Sequence, residues 1–260
     1  SVSYYFDSNI GIDSNHGTSI ESPFKTLKKL ETIVLSTSDR IFLSNGSNFK
    51  GNIKIIGLND ISISNYNSHI KEIPVIDSKG HIAGVYIEDS SEISVSNLSI
   101  TANGGGVIEQ YPNLKKNKRK VDEAIMRAGV LVNISSNNIY KNISINEVVI
   151  KNVFFEDEGF VRDPSEVRTS MGTQAYGFGI RFYNSSKAGF IDGISVTNCY
   201  IENVGHTGIK MTSNGSKNRF KNIEVANNKL RRTGGPSLQF SLVENLHAHN
   251  NNVKYSGSPD

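Results

Sequence analysis

The sequence lacks or nearly lacks several residue types. Tryptophan is absent, cysteine occurs once and proline six times in 260 residues. The single cysteine, Cys199, cannot form an internal disulfide, and the alternating apolar pattern around it favours a structural role. Segments with helical periodicity are few, whereas asparagine, serine, isoleucine and glycine are abundant. This composition favours an all-β fold with many tight turns.

Strong charge and long apolar runs are also missing. The net charge is +3, and charged residues make up 20% of the chain. A nucleic-acid partner is not expected, because such proteins usually carry a larger, clustered basic surface. No segment approaches the roughly 18 apolar residues of a membrane span. We therefore predict neither a nucleic-acid partner nor a membrane span.

Residues at metal-ligand spacing are not found. His247 and His249 lie close together, but neither has a cysteine or carboxylate at the spacing of a zinc site. No cluster of Asp and Glu clearly demands Ca²⁺. We therefore predict no metal ligands and no certain cofactor, with a bound Ca²⁺ as an open alternative.

The sequence does contain a repeat. A five-residue unit with alternating apolar residues recurs six times, which predicts strands with one buried face. The copies are ISISN (61–65), ISVSN (93–97), ISINE (143–147), ISVTN (194–198), IEVAN (223–227) and LHAHN (246–250). All but one end in asparagine, and these asparagines predict a stacked ladder inside the fold. They are Asn65, Asn97, Asn198, Asn227 and Asn250.

A second unit, mostly glycine-apolar-x-apolar, lies upstream of the first. Its copies are GVYI (84–87), GVLV (129–132), GIRF (179–182), GIKM (208–211) and SLQF (237–240). The last three copies start 29 residues apart, and the earlier intervals are 45 and 50 residues. Short strands and Asn/Gly turns repeating every 20 to 30 residues or so are typical of a coiled solenoid. The simplest such fold is a parallel β-helix, which we predict for residues 36–260.

The ends of such a stack of coils need protection. Residues 1–35 predict an N-terminal strand and a capping helix, with Ser22 as N-cap and Pro23 at the first helical position. The apolar face of that helix is predicted to be Leu27, Leu30, Ile33 and Val34. The repeat is still running at the last residues, NNVKYSGSPD. Further C-terminal coils are therefore expected beyond this sequence.

Strand alternation predicts which side chains point away from the coils. In the second unit the residues on either side of x face inward, so x faces outward. Stacking the copies gives one outward column: Tyr86, Leu131, Arg181, Lys210 and Gln239. Adjacent coils are about 4.8 Å apart. Arg181 and Lys210 are therefore predicted to be direct neighbours, with Gln239 one coil further on.

Two rows flank this column. Tyr183 lies two residues after x, and Arg127 and His206 lie four residues before it. Two cations about 5 Å apart repel by roughly 3 kcal/mol at an effective dielectric near 20. The adjacent Arg181 and Lys210 therefore either spread into solvent or meet an anionic ligand. We favour the anionic ligand, and two solvated surface cations are the alternative.

The two long intervals place insertions directly upstream of outward strands, at 103–128 and 154–178. Insertions in a solenoid often emerge on the binding face. The first carries Tyr111, and the second carries Arg168 and Tyr176. These insertions are predicted to wall a groove over the outward column.

The segment YYFDSNIGIDSNHGTSIESPFKTLKKL, followed by coils that end in asparagine, resembles secreted bacterial right-handed parallel β-helix enzymes that act on polysaccharides. Within that group it looks most like the alginate-lyase and chondroitinase-B-like polysaccharide lyases. There, a lysine and an arginine on neighbouring coils act at the uronate; Lys210 and Arg181 match as residue types, in reversed chain order. The group's Asn-Lys-Ser and Leu-Arg-His-Gly motifs are not found. The resemblance implies a right-handed coil, an anionic polysaccharide partner and a secreted or periplasmic location.

The resemblance also implies β-elimination in a groove on one sheet. A cation neutralises the uronate carboxylate, a base removes the C5 proton, and an acid protonates the leaving oxygen. Arg181 is the predicted neutraliser, and Lys210 is the predicted base with His206 as its rival. The acid is Tyr176 or Tyr183. The predicted substrate contacts are Gln239, Tyr183, Arg127, Tyr111 and Arg168.

Two other functions stay open. A glycoside hydrolase needs two carboxyl groups roughly 5 to 9.5 Å apart; the outward rows offer Glu88, and the acidic stretch 155–159 could supply another. The segment GHTGIK also resembles the Gly-His-Gly stretch of β-helix pectin hydrolases, whose paired-aspartate motifs are absent. A non-catalytic glycan-binding protein is equally compatible with the fold. Unsaturated products indicate a lyase, saturated products a hydrolase, and binding without product a binding module.

Overall fold

The computed structural model describes residues 1–107, 126–155, 157–159, 176–213 and 218–257, and for Tyr176 it describes the backbone. Every strand pair within these residues is parallel. The described part of the chain contains no helix with the length and apolar character needed to cross a membrane. The fold is therefore all-β and built from parallel sheets.

The strands are numbered in chain order. They are β1 Ser3–Phe6, β2 Arg40–Ser44, β3 Asn48–Lys50, β4 Ile53–Ile56, β5 Asn59–Tyr66, β6 Val75–Asp77, β7 Ala83–Glu88, β8 Ser91–Asn103, β9 Met126–Ile134, β10 Ile139–Phe154, β11 Tyr176–Asn184, β12 Phe190–Thr197, β13 Tyr200–Val204, β14 Ile209–Thr212, β15 Phe220–Ala226, β16 Lys229–Thr233, β17 Leu238–Ser241, β18 Val243–His249 and β19 Asn252–Ser256.

The strands form two sheets. The smaller sheet has six strands in the order β17-β14-β11-β9-β7-β4, and the larger has thirteen, with a main path β1-β2-β5-β8-β10-β12-β15-β18. Successive repeats contribute neighbouring strands to each sheet, so the chain returns to the same sheet once per repeat. This order is consistent with the β-helix-like arrangement that the repeat predicts.

The core is made by the inward residues of both sheets. Ile180 and Met211 from the smaller sheet and Val196 and Val225 from the larger sheet are completely buried in one cluster. Each such side chain contributes about 1.5–3 kcal/mol when it is removed from water. The register aligns these positions from coil to coil: Ile180 pairs with Ile209, and Ile194 with Ile223. The alternation in the sequence therefore predicted the buried face correctly.

The asparagines that end the five-residue units are bend residues and do not line the interior. Asn97, Asn198, Asn227 and Asn250 all have φ between 54° and 58°, the left-handed region that asparagine tolerates better than most residues. Asn198, Asn227 and Asn250 are exposed. The predicted internal ladder at these positions is therefore wrong, because the left-handed bend points the side chain outward.

The buried asparagine lies one residue later. Asn228 is completely buried, and its Nδ2 donates to the Val196 carbonyl and to Asn251 Oδ1, both at 3.0 Å. Asn228 Oδ1 in turn accepts from the Cys199 amide at 2.9 Å. Since the bend turns the following residue inward, an amide side chain there can satisfy the backbone of neighbouring coils.

The N-terminal helix is shorter than predicted. A 3-10 helix spans Leu27–Thr32, with Thr26 at the N-cap position, so Ser22 is not the N-cap and Pro23 is not the first helical residue. Leu27 is buried, whereas Val34 is 89% exposed. Leu30 and Ile33 pack against the core from partly buried positions.

Long-range hydrogen bonds explain why the helix starts late. The Pro23 carbonyl accepts from the Ile12 amide at 3.1 Å, and the Asp13 carboxylate accepts from the amides of Lys25 and Thr26 at 2.9 and 2.8 Å. These bonds hold 23–26 against the preceding loop, so the chain there cannot form helical bonds. A sequence pattern for helix initiation does not include such tertiary partners.

Candidate functional site

The predicted outward column exists on the six-stranded sheet. Register pairs join Tyr86 to Leu131, Leu131 to Arg181, Arg181 to Lys210, and Lys210 to Gln239. These residues lie on β7, β9, β11, β14 and β17. The predicted adjacency of Arg181, Lys210 and Gln239 is therefore confirmed as a register.

The first half of this column is not open to solvent. Tyr86 and Leu131 are buried together with Ile82, Met126 and Phe178 in a second apolar cluster on the outer side of the sheet. An outward direction from the core therefore does not mean exposure here. The column changes from apolar and buried at Tyr86 to polar and half-buried at Lys210 and Gln239.

Arg181 lies at this boundary and is 6% exposed. The centre of its guanidinium is 4.9 Å from the Phe178 ring and 5.4 Å from the Tyr183 ring, and Nη2 donates to Thr212 Oγ1 at 3.0 Å. Nε and Nη1 are buried and, within the described structure, have no hydrogen-bond partner. Burial lowers the pKa of Arg181 to about 10, so the group still carries its charge at neutral pH.

The two unsatisfied donors give this site its chemical character. A buried donor without a partner costs about 1–3 kcal/mol, and more when the group is charged. An anion that accepts from Nε or Nη1 would remove this cost and neutralise the buried charge. The arrangement is therefore suited to receiving a carboxylate or another anionic group.

His206 and Lys210 extend the same site. The Lys210 ammonium lies 5.7 Å from the centre of the Phe178 ring, and the His206 ring contacts that ring edge-on at 5.6 Å. Burial, with smaller contributions from Lys210 and Arg181, lowers the pKa of His206 to about 4. The imidazole is therefore neutral at physiological pH, the state in which it can accept a proton.

Glycine makes room for His206 in its row. The His206 amide donates to the Gly177 carbonyl at 2.8 Å, and the Gly235 amide donates to the His206 carbonyl at 3.0 Å. A Cβ atom at Gly235 would lie only 3.0 Å from His206 Cε1. The predicted row of Arg127, Gly177, His206 and Gly235 is thus confirmed as a register.

Arg127 occupies this row but is completely buried. Its Nε donates to the His81 carbonyl at 2.9 Å, and its Nη1 donates to the carbonyls of Gly104 and Phe154 at 2.5 and 2.6 Å. Gly104 and Phe154 stand at the starts of the two insertions. These bonds tie both starts to β9, and the predicted contact of Arg127 with substrate stays a prediction that would require its surroundings to move.

The remaining predicted residues differ in what can be said of them. Tyr183 is half-buried beside Arg181, and burial raises the pKa of its phenol although Arg181 lowers it, so the phenol is protonated at neutral pH. Gln239 is half-buried, and its Oε1 has no hydrogen-bond partner in the described structure. Tyr111, Arg168 and the Tyr176 side chain lie outside the described residues.

The structure adds site residues that the sequence reasoning missed. Phe178 contacts Arg181, Lys210 and His206, and Thr212 holds the Arg181 guanidinium. Thr212 could have been found, because it follows Lys210 by two residues on the same face. Phe178 could not, because strict alternation through Ile180 places it inside.

One described carboxylate also lies on this sheet. Glu88 is buried and accepts from the Tyr86 hydroxyl at 2.9 Å and from Asn133 Nδ2 at 3.0 Å. Its register row continues through Asn133 to Tyr183, two coils away, which is about 10 Å. Among the described residues, no group of three or more His, Cys, Asp or Glu side chains is arranged to hold a metal ion.

Comparison with known proteins establishes similarity of fold. Neither the family models nor the curated proteins give a match. Among solved structures, the chain is similar to the native GH136 lacto-N-biosidase from Eubacterium ramulus, with a TM-score of 0.65 and 21% identity over 90% of this chain and 42% of that one. The selenomethionine derivative gives 0.55 and 15% over 97% and 56%. A rhamnogalacturonan lyase gives 0.39 and 15% over 98% and 69%.

These comparisons have a limited reach. The chain spans less than two thirds of the length of both lacto-N-biosidase structures. At such identities the similarity shows a β-rich fold that is shared with a carbohydrate-active enzyme. The resemblance to alginate-lyase and chondroitinase-B-like proteins stays a prediction.

Proposed function

We propose that this chain belongs to a polysaccharide lyase with a right-handed parallel β-helix, which cleaves a uronate-containing, alginate-like or glycosaminoglycan-like polysaccharide by β-elimination. The observation that carries the proposal is the buried Arg181 guanidinium with unsatisfied donors at Nε and Nη1. Lys210 lies beside it in register. A natural protein retains such an uncompensated cation chiefly where a ligand supplies the anion.

In the proposed reaction, Arg181 binds the carboxylate at C5 of the uronate. Because Arg181 is buried, neighbouring side chains have to move aside as the ligand enters. Neutralising the carboxylate makes the C5 proton acidic, since negative charge develops on the carboxylate oxygens as the proton leaves. The base takes the proton, the electron pair forms the C4–C5 double bond, and the C4–O bond to the leaving sugar breaks.

Lys210 and His206 are the candidate bases. His206 needs no further change to serve as one, because its pKa of about 4 keeps the imidazole neutral at physiological pH. Tyr183 is protonated and lies beside Arg181, so it is placed to give its proton to the leaving oxygen. Tyr176 is the alternative acid, and Ca²⁺ is an alternative neutraliser that a chelator would remove.

The experiment follows unsaturated product from alginate and glycosaminoglycans by its absorbance. Arg181→Met is expected to lower kcat/KM by about 100-fold or more, as loss of a charge-stabilising donor does in other enzymes. Lys54→Ala is the matched control, because Lys54 starts the same column three coils away. Retained turnover in Arg181→Met, or an equal loss in Lys54→Ala, would refute the assignment.

The second candidate function is a glycoside hydrolase. It is favoured by the fold similarity to a lacto-N-biosidase and by the buried Glu88 on the same sheet. A hydrolase requires a second carboxyl group roughly 5 to 9.5 Å from the first. Saturated products that disappear in Glu88→Gln would support this function against the lyase. Binding without product would identify a glycan-binding protein.

The proposal extends to the setting of the protein. The polysaccharides concerned lie outside the cytoplasm, so we propose a secreted or periplasmic location. We also propose that further coils follow β17–β19, because the last strands leave apolar side chains such as Val253 and Tyr255 exposed. Their equivalents one coil earlier, Leu230 and Arg232, differ in this respect: Leu230 is completely buried.

A further inference from the structure

A groove of about 670 Å³ crosses the outer face of the thirteen-stranded sheet, on a different surface from Arg181. Two rows of residues line it, and each row takes one residue from each strand it crosses. The first row is Asp60, Glu92, Asn142, Gly193, Asn222 and Asn245, and the floor row is Ser94, Ser144, Ser195, Glu224 and His247.

The length of the groove indicates a chain-like ligand. The first row runs over six successive strands, from β5 to β18. Five steps of about 4.8 Å give a length of about 24 Å. A groove of this form, parallel to the stacking direction of the coils, fits an extended polymer better than a compact small molecule.

Backbone bends create the groove. All six residues of the first row have positive φ, from 55° to 56° at the five side-chain-bearing positions and 98° at Gly193. The strands therefore change direction at the same point in each coil, which leaves a re-entrant corner outside the sheet. Gly193 widens the middle of the groove, because a Cβ there would lie 2.3 Å from Asn142 Oδ1.

The floor offers hydrogen-bonding groups that the protein does not use. Among the described residues, the hydroxyls of Ser94, Ser144 and Ser195 have no hydrogen-bond partner, although the three side chains are only partly exposed. The bend row is different, because Asn142 donates to Glu92 at 2.7 Å and Asn245 donates to Asn222 at 2.6 Å. The bend row thus stabilises the coils, and the serine hydroxyls remain free for a ligand.

The charge of the groove distinguishes its ligand from that of the Arg181 site. Asp60, Glu92 and Glu224 contribute carboxylates, and no Lys or Arg is among the lining residues. Asp60 is compensated by Arg40 at 3.0 Å, whereas Glu224 has the His249 ring at 3.6 Å. Such a groove repels a uronate chain. Its carboxylate, amide and hydroxyl groups match the hydroxyls of an uncharged sugar.

An aromatic face lies at one end of the floor. The His247 ring packs on the His249 ring with centroids 4.3 Å apart, and His247 is exposed at the end of the serine row. A flat ring at the end of a polar floor gives one face of a sugar an apolar contact. The groove therefore combines the two elements of carbohydrate recognition, polar edges and a flat apolar surface.

We propose that this groove binds an extended, uncharged oligosaccharide, as a second glycan site that is independent of the Arg181 site. The proposal does not depend on the chemistry at Arg181. It implies that the protein holds two chemically different glycan segments, an anionic one on the six-stranded sheet and an uncharged one on the thirteen-stranded sheet.

The test is calorimetric titration of the whole chain with length series of uncharged oligosaccharides: glucose-, xylose-, galactose- and N-acetylglucosamine-based. Affinity is expected to rise with length until the groove is filled. Ser94→Tyr fills the floor and is expected to weaken binding by about tenfold or more, the size of a lost central contact. Ser99→Tyr is the matched control, because Ser99 lies on the same strand, is equally half-buried and does not line the groove.

A second variant tests the chemistry. Glu224→Gln is expected to weaken binding about tenfold, since a hydrogen bond to a charged group contributes about 1.5–3 kcal/mol. Folding of each variant is checked by its thermal transition. The proposal is overturned if no uncharged series binds, if Ser94→Tyr and Ser99→Tyr bind equally, or if uronate oligomers bind at this face as tightly as uncharged ones. Turnover at the Arg181 site is expected to be the same in Ser94→Tyr as in the unmodified chain, so the two sites fail or succeed separately.

Discussion

The unsatisfied Arg181 guanidinium predicts that removing it makes the protein more stable while removing its function. Burial lowers the pKa of Arg181 from 12.5 to about 10. At about 1.36 kcal/mol per pH unit, the charged form is therefore disfavoured in the folded chain by about 3 kcal/mol. Two orphaned N–H groups are the structural expression of this cost.

Other contacts of Arg181 offset part of that cost. The contacts with the Phe178 and Tyr183 rings are worth about 0.5–2 kcal/mol each, and the bond to Thr212 about 1 kcal/mol. Methionine keeps much of the apolar volume. We expect Arg181→Met to change the free energy of unfolding by a gain of about 1 kcal/mol, or about 2–4 °C in Tm for a chain of this size.

The pH dependence gives an independent check. Because the folded pKa lies below the unfolded one, the charge destabilises the folded chain at every pH below about 10. That penalty fades only as the pH rises from there through the unfolded pKa. The stability gain in Arg181→Met is therefore expected to be constant between about pH 6 and 9, measured by urea or thermal unfolding.

Arg127→Met is the matched comparison. Arg127 is also a buried arginine in an outer row of the same sheet, but it donates to three backbone carbonyls. Its loss leaves those carbonyls unsatisfied and is expected to destabilise by about 3–5 kcal/mol. If Arg181→Met loses more than about 2 kcal/mol, the guanidinium is a structural group like Arg127, and the argument for an anion site there is wrong.

Three further predictions concern single residues near the site and in the core. His206, with its folded pKa of about 4 below its unfolded value, contributes stability that is present above pH 6.5 and is lost as the pH falls toward 4; His206→Phe is expected to flatten that acid limb in thermal unfolding, and an unchanged limb would contradict the pKa. Gly235→Ala places a Cβ 3.0 Å from the His206 ring; it is expected to lower kcat more than it lowers Tm, and equal turnover would show that His206 takes no part. Burial raises the pKa of the Cys199 thiol to about 12; alkylation is expected only at the rate of unfolding, and rapid labelling in the folded state would contradict its burial.

Local pattern carried a large part of the fold and of the site. Alternation and repeat spacing act between near neighbours in the chain, and a parallel stack copies them from coil to coil. For this reason the buried face, the two strand units and the adjacency of Arg181, Lys210 and Gln239 were predictable. The roles of these residues in binding or chemistry remain predictions.

Other features depend on contacts that no local pattern contains. The bonds from the loop before Phe24 shorten the predicted helix, and a left-handed bend moves the buried amide from Asn227 to Asn228. The alternation breaks beside Gly179, so Phe178 joins Arg181 on the outer face while Ile180 enters the core. Each departure comes from backbone geometry or a distant partner.

The amino-acid sequence by itself thus determined that the chain coils into parallel sheets and that two cations stack side by side. Only the tertiary structure decided which outward residues are covered, since burial depends on what packs above a strand as well as on the strand. It made Arg127 a satisfied structural arginine and Arg181 an unsatisfied one. It also placed a polar groove along the bends of the other sheet, because six separate backbone turns align there only when the coils are stacked.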